Sequence, residues 1–138
     1  MIDFVIERLL LKIGNLSVNI RDENLKKRGL TSVQSETLLF FEKHEGASSA
    51  QLKDHLQISH QAARNLVERI SKKDLLFIQS STEDARRKDV YLTDQGKQLC
   101  HHLRQEGSCE GKRLLEGFTD EEKQILLNFL ERMEKNVE

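Results

Sequence analysis

A basic loop and a polar helix face hold the residues of this sequence that can carry out recognition chemistry. The loop separates two short apolar runs, Leu75 to Gln79 and Val90 to Leu92, and it contains Arg86, Arg87 and Lys88 in succession. Such side chains bind phosphate oxygens, and an arginine is also attracted into a narrow minor groove of DNA. The flanking runs are β-branched or aliphatic, so we predict a two-stranded hairpin whose loop projects as a wing.

The polar helix face lies directly before this hairpin. A helical pattern runs from an N-cap at Ser59 to about residue 73, with its apolar side formed by Ala63, Leu66, Val67 and Ile70. The opposite side is polar without being uniformly charged, and it comprises Gln61, Arg64, Asn65, Glu68 and Lys72. Gln, Arg and Asn near a helix N-terminus are side chains that pair with base edges. We therefore predict that this helix reads DNA.

Repeated capping signals position these elements. A Ser/Thr-x-x-Gln/Glu box, which satisfies backbone N–H groups at a helix start, occurs at Thr31-x-x-Gln34, Ser48-x-x-Gln51 and Thr119-x-x-Glu122. The box at Ser48 opens a short helix that precedes the DNA-reading one. Residues 48–93 are therefore predicted to form a winged helix-turn-helix.

Long amphipathic helices are predicted on both sides of this unit. The first, over residues 2–28, has an apolar stripe of Ile2, Val5, Ile6, Leu9, Ile13, Leu16 and Ile20. A connecting helix is expected over 94–115, where Gly107 and Gly111 can bend it, and a last helix over 116–138. A lone helix cannot bury such a stripe. We expect one mainly α domain over 1–138, in which dimerisation helices (1–29 and 116–138) flank a DNA-binding lobe (30–96).

Charge and composition exclude several other classes. Residues 48–93 carry eight basic and six acidic groups, whereas 94–138 carry seven and ten, a small asymmetry whose sign fits a polyanion partner for the predicted DNA-reading unit. Charged residues interrupt the N-terminal apolar run well before the roughly 20 residues that a membrane span needs. No secretion signal precedes it, so we expect a cytoplasmic protein with no membrane partner. Neither a phosphate loop nor a catalytic motif occurs, and we expect no enzyme activity and no cofactor.

The wing carries a signature through which the sequence resembles the MarR family of bacterial transcription regulators. The motif is Asp84-x-Arg86 followed by Leu92-Thr93-x-x-Gly96, with support from Leu30-Thr31-x-x-Gln34 and Ile58-Ser59-x-Gln61. The resemblance implies an obligate homodimer that binds a pseudo-palindromic operator in double-stranded DNA, with Arg86 in the minor groove. Asp84 is then expected to orient Arg86 through a carboxylate–guanidinium fork. The competing interpretation is that Asp84 and Arg86 only tie down a surface hairpin.

Further DNA contacts are assigned from side-chain chemistry. Base reading is expected chiefly of Arg64, although a surface arginine can also be simply solvated. Weaker candidates for base contact are His60, Gln61 and Asn65. Contact with phosphates is assigned to Lys72, Lys73, Arg87 and Lys88. Ser48 and Ser59 can cap their helices and also offer groups to phosphates.

Two cysteines and two neighbouring polar residues leave the controlling signal open. Cys100 and Cys109 are nine residues apart on a predicted helix, so they face opposite sides and cannot form a disulfide within one chain. A redox role through a bridge between subunits or to a small thiol remains an alternative. His102 and Glu106, at i and i+4, can share a metal ion. Ordinary packing or solvation is the competing interpretation of all four residues.

A small-molecule effector is the other signal to consider. The resemblance implies a pocket between the dimer helices and the DNA-binding lobe, here lined by Leu16, Phe40, Phe41 and Leu99, although these residues also suit a core. We therefore expect a homodimeric, sequence-specific transcription regulator, a repressor of nearby genes that a small ligand or an oxidant releases. The alternative is a winged-helix protein-interaction or architectural module without operator specificity.

Overall fold

The computed structural model describes residues 1–138 and contains six helices and one two-stranded hairpin. In chain order the elements are α1 (Ile2–Lys27), α2 (Ser32–Lys43), α3 (Ser49–Leu56), α4 (His60–Lys72), β1 (Leu76–Ser80), β2 (Lys88–Leu92), α5 (Asp94–Leu114) and α6 (Asp120–Val137). The predicted fold class, a mainly helical winged helix-turn-helix with a small hairpin, is confirmed.

The three capping boxes form at the predicted positions. Thr31, Ser48 and Thr119 each accept a hydrogen bond from the backbone N–H three residues later, and the side chain at that later position accepts one in return. At the start of α6, the hydrogen bonds from Thr119 lower the pKa of Glu122, so this box is complete at neutral pH. Each such cap stabilises a helix start by about 1 kcal/mol.

One side of each helix and strand of the winged-helix lobe packs into a common hydrophobic core. Its fully buried side chains include Leu38, Phe41, Leu52, Ala63, Ile70 and Val90. α5 adds Cys100 and Leu103 to this core. α1, in contrast, buries only Leu25, so most of its apolar surface faces away from the lobe.

The hairpin is antiparallel, and its register sets Leu76 opposite Leu92 and Ile78 opposite Val90. The second edge of β2 is also used. The Gly46 N–H donates to the Val90 carbonyl at 3.0 Å, and the Val90 N–H donates to the Ala47 carbonyl at 2.9 Å. The connection between α2 and α3 therefore adds a short strand-like segment to the sheet, which the sequence patterns do not predict.

Two compact units share the chain, one over Met1–Gln105 and the other over Glu106–Glu138. The boundary between them falls inside α5, which is helical through Gly107 and Gly111. In the second unit, α6 buries none of its residues. None of the helices combines the length and the apolar composition that a membrane span requires.

Candidate nucleic-acid interface

An open cleft of about 600 Å³ lies between the start of α3, the polar face of α4 and the hairpin. We call it the basic cleft, and its lining includes the predicted DNA-binding residues Ser48, His60, Arg64, Arg86, Arg87 and Lys88. Val67 and Val90, which belong to the buried core, also line it. The fold therefore brings residues from three separate parts of the sequence to one surface.

Helix α4 directs its polar face outward because its opposite face is fixed in the core. Ala63 and Ile70 are fully buried, whereas Arg64 and Asn65 are exposed. The Gln61 Nε2 donates a hydrogen bond to the Asn65 Oδ1 at 3.1 Å, which couples the two amides on this face. Ser59 caps the helix through a 3.1 Å hydrogen bond from the Ala62 N–H, so its hydroxyl already has a structural partner.

The cationic side chains of the basic cleft differ in whether they have partners in the protein. The Nε of Arg87 lies 3.2 Å from the Asp89 carboxylate. Across residues 1–138, the side chains of Arg64, Arg86 and Lys88 form no ion pair and no hydrogen bond. Three unneutralised cations on one surface favour an anionic ligand, and a phosphate backbone supplies such charge at regular spacing.

The contact between Asp84 and Arg86 differs from the predicted fork. The Asp84 Oδ1 accepts a hydrogen bond from the backbone N–H of Arg86 at 2.9 Å, and the guanidinium does not take part. The Arg87 N–H also donates to the Asp84 carbonyl at 3.0 Å. Because a short carboxylate reaches a backbone N–H two residues later more readily than a distant guanidinium, Asp84 forms an Asx turn. It shapes the wing rather than pairing with the Arg86 side chain.

The hydrogen bonds that Lys73 forms within the protein oppose its predicted contact with a DNA phosphate. Its Nζ donates to the Gly29 carbonyl at 2.7 Å and lies 3.3 Å from the Gln34 Oε1. The ammonium therefore ties the end of α4 to the turn between α1 and α2, and it does not line the basic cleft. Lys72 is exposed on the polar face of α4 but also lies outside the cleft lining.

Two polar residues that line the basic cleft were not among the predicted contacts. Ser49, the first residue of α3, lies in the lining beside Ser48. Glu68 lies there too, although its charge is opposite to that of its neighbours. The signal for Glu68 was present in the sequence, because it follows Arg64 by four residues and so shares its side of the helix.

Comparison with known proteins identifies this lobe. Residues 28–87 match the model of the MarR family, and this range runs from the end of α1 to the wing. This lobe, which is somewhat less than half of the chain, is similar to the MarR family. Members of this family are transcription regulators and not enzymes.

Two similar proteins from Bacillus subtilis are described as HTH-type transcription regulators. The HTH-type transcriptional regulator YybA is 25% identical over 120 residues, which cover 87% of this chain and 80% of YybA. The HTH-type transcriptional repressor MdtR is 27% identical over 74 residues, which cover 54% of this chain and 48% of MdtR.

Solved MarR-like structures have the same fold along nearly the whole chain. The transcriptional regulator SlyA superposes with a TM-score of 0.81 at 22% identity, covering 96% of this chain and 93% of that one. MepR of S. aureus in complex with DNA superposes with a TM-score of 0.78 at 21% identity, covering 94% of each chain. The fold is therefore the winged-helix fold of these transcription regulators.

The possible signal-sensing residues, Cys100, Cys109, His102 and Glu106, do not form one site. Burial, and after it the Glu42 carboxylate, raise the pKa of the Cys100 thiol to about 11, which opposes the reactive thiolate. Cys109 is exposed, so any redox chemistry falls to it rather than to Cys100. Nowhere in residues 1–138 do three His, Cys, Asp or Glu side chains meet as a metal site, so the predicted pair of His102 and Glu106 gains no third ligand.

The residues suggested for an effector pocket have different environments. Phe41 is fully buried and Phe40 nearly so, and both belong to the core of the lobe. Leu99 is half-buried against that core. Leu16 is exposed on α1. The interpretation of the two phenylalanines as core residues is confirmed.

Proposed function

We propose that this protein is a homodimeric, sequence-specific DNA-binding repressor, which a small ligand or an oxidant releases from its operator. The observation that carries the proposal is the basic cleft, in which Arg64, Arg86 and Lys88 are exposed and unpaired beside the polar face of α4. Cations without protein partners lose no internal contacts when they bind phosphates or base edges.

The dimensions of the lobe suit double-stranded DNA. α4 has 13 residues, which corresponds to a length of about 20 Å, and its polar face can lie in a major groove about 12 Å wide. Arg64 then faces base edges, with His60, Gln61 and Asn65 as its neighbours. The wing extends toward the adjacent minor groove with Arg86, while Arg87 and Lys88 contact phosphates. Ser48 lies at the start of α3, where backbone N–H groups favour a phosphate.

The exposed face of α1 supports a dimer. The predicted apolar stripe is exposed along its length, with Ile2 at 70%, Leu9 at 50% and Leu16 at 54%. Exposed apolar surface on this scale marks a protein–protein interface. In the proposed dimer a second copy of the chain covers this stripe, as well as the exposed Ile125 and Phe129 of α6. Two-fold symmetry then requires a pseudo-palindromic operator.

Repression and release complete the proposal. The relative MdtR is a transcriptional repressor, and the same role is proposed for the present chain. A signal releases the operator if it changes the spacing of the two DNA-reading lobes, because both must match their half-sites at once. For an oxidant, the exposed Cys109 is the proposed point of attack.

Selection of bound duplexes from a randomised pool tests the function. The purified protein should enrich a pseudo-palindrome whose half-site centres lie about 34–36 Å apart, which is one helical turn. The mass of the protein–DNA complex should correspond to two chains per duplex. A pool without any enriched palindrome would favour the protein-interaction or architectural alternative, and a single chain per duplex would contradict the dimer.

A further inference from the structure

Glu68 is the one carboxylate among the residues that line the basic cleft. It lies at the i+4 position after Arg64 and the i+8 position after His60, so the three side chains follow one side of α4. Four cationic side chains line the same cleft, yet Glu68 forms no ion pair and no hydrogen bond within residues 1–138. An exposed, unpaired acceptor therefore lies on the surface that we propose meets DNA.

The chemistry of a carboxylate restricts what it can face in a DNA complex. An ionised carboxylate only accepts hydrogen bonds, and it is repelled by a phosphate. In the major groove the donors are the N4 amino group of cytosine and the N6 amino group of adenine. Adenine also presents the N7 acceptor beside its amino group, whereas cytosine presents no acceptor there. Among the four bases, cytosine is thus the best partner for this carboxylate.

We propose that Glu68 selects cytosine at one position of each half-site. This inference rests on the proposed DNA-binding function and adds a specificity-determining residue to it. Glu68 lies four residue steps after Arg64 along the helix, a rise of about 6 Å. Since stacked base pairs repeat every 3.4 Å or so, the selected cytosine lies one or two base pairs from the pair that Arg64 contacts.

The test compares duplexes selected by the parent protein with those selected by Glu68→Ala and Glu68→Gln variants. The parent should enrich one cytosine per half-site and bind duplexes with another base there about tenfold more weakly. Glu68→Ala should lose the preference at that position alone. Glu68→Gln should shift it toward adenine, because a glutamine amide pairs with the N6 and N7 groups of adenine. Glu68 is exposed, so both variants should keep the parent's circular dichroism spectrum.

Glu83→Ala is the matched control, because Glu83 is an exposed wing carboxylate outside the cleft lining. It removes the same charge near DNA and should leave the selected sequence unchanged. If Glu68→Ala selects the same operator as the parent, the inference fails while the proposed function stands. A uniform gain in affinity for all sequences would also overturn it, since Glu68 would then face a phosphate. If the parent enriches no palindrome, the proposed function itself fails.

Discussion

The hairpin of this winged-helix protein has a base and a tip that are held in different ways. At the base, the Thr93 Oγ1 donates to the Asp74 carbonyl at 2.6 Å and accepts from the Gly96 N–H at 3.0 Å, while the Thr93 N–H donates to the Leu75 carbonyl at 3.1 Å. At the tip, residues 81–87 are held only by local contacts such as the Asx turn of Asp84. The base joins three elements, whereas the hydrogen bonds of the tip stay within the hairpin.

This difference separates stability from recognition along one short motif. Leu92-Thr93-x-x-Gly96 fixes the direction of the hairpin relative to α5, and its substitution should destabilise the fold. Asp84-x-Arg86 lies on the exposed tip, where a substitution removes few internal contacts but changes what the wing presents to a ligand. The following variants, from the largest expected effect to the smallest, test that separation.

Gly96→Ala should cause the largest loss of stability. A Cβ atom at Gly96 would lie 2.2 Å from the Leu75 carbonyl oxygen, and a backbone atom cannot move away without displacing the hairpin base. We expect the free energy of unfolding, measured by urea titration, to fall by about 3 kcal/mol.

Gly107→Ala is the matched control within the same helix. A Cβ atom at Gly107 meets nothing within 4 Å, so alanine there should raise the free energy of unfolding by up to about 1 kcal/mol. Equal effects of the two substitutions would contradict the role assigned to the hairpin base.

Thr93→Val should have the next largest effect on stability. Valine keeps the shape of threonine but removes the hydroxyl that bridges the Asp74 carbonyl and the Gly96 N–H. The free energy of unfolding should fall by about 1–2 kcal/mol. Thr82→Val, at an exposed wing position, should change it by less than about 0.5 kcal/mol. A similar loss in both variants would show that the base is not special.

Asp84→Ala removes the acceptor for the Arg86 N–H at an exposed turn. It should weaken DNA binding several-fold and lower the free energy of unfolding by about 0.5 kcal/mol. Binding can be followed by fluorescence anisotropy with a selected operator. Asp84→Asn keeps the Oδ1 acceptor and should restore most of the affinity. If Asp84→Asn loses as much operator affinity as Asp84→Ala, the charge of Asp84 acts on the Arg86 guanidinium, and the assignment of Asp84 to an Asx turn is wrong.

Lys88→Ala should produce the smallest change, a uniform loss of affinity. The slope of log affinity against log salt concentration should become shallower by about one for each Lys88 that contacts a phosphate. Lys73→Ala should leave that slope unchanged, because the Lys73 ammonium is bound to Gly29 and Gln34. A shallower slope for Lys73→Ala would instead support the predicted contact between Lys73 and a phosphate.

Most of the fold follows from local sequence signals. Thr31, Ser48, Ser59 and Thr119 each begin a helix where the capping rules expect one, because a cap depends on residues within four positions. The pairing of Gly46 and Ala47 with β2 was not predictable in the same way. It joins segments more than 40 residues apart and uses only backbone groups, which leave no pattern of side chains.

The candidate site was predictable in its residue types but not in its contacts. The polar spacing along α4 placed Arg64 and Gln61 on the outer face, as found. The partners of Lys73 and Asp84 depend on which carbonyl or N–H group lies nearest after folding. Sequence spacing does not encode those distances. It therefore predicted a phosphate contact for Lys73 and a contact with the Arg86 guanidinium for Asp84.

The most direct test of the central claim is the affinity of Arg86→Ala for the selected operator. Arg86 is exposed, unpaired through its side chain and placed at the tip of the wing, so its loss should weaken specific binding about tenfold or more. Stability should stay within about 0.5 kcal/mol of the parent value. Arg113→Ala, which removes an exposed arginine from the last turn of α5, should bind the operator like the parent. Parental operator affinity in Arg86→Ala would contradict the account of the wing as a DNA-reading element.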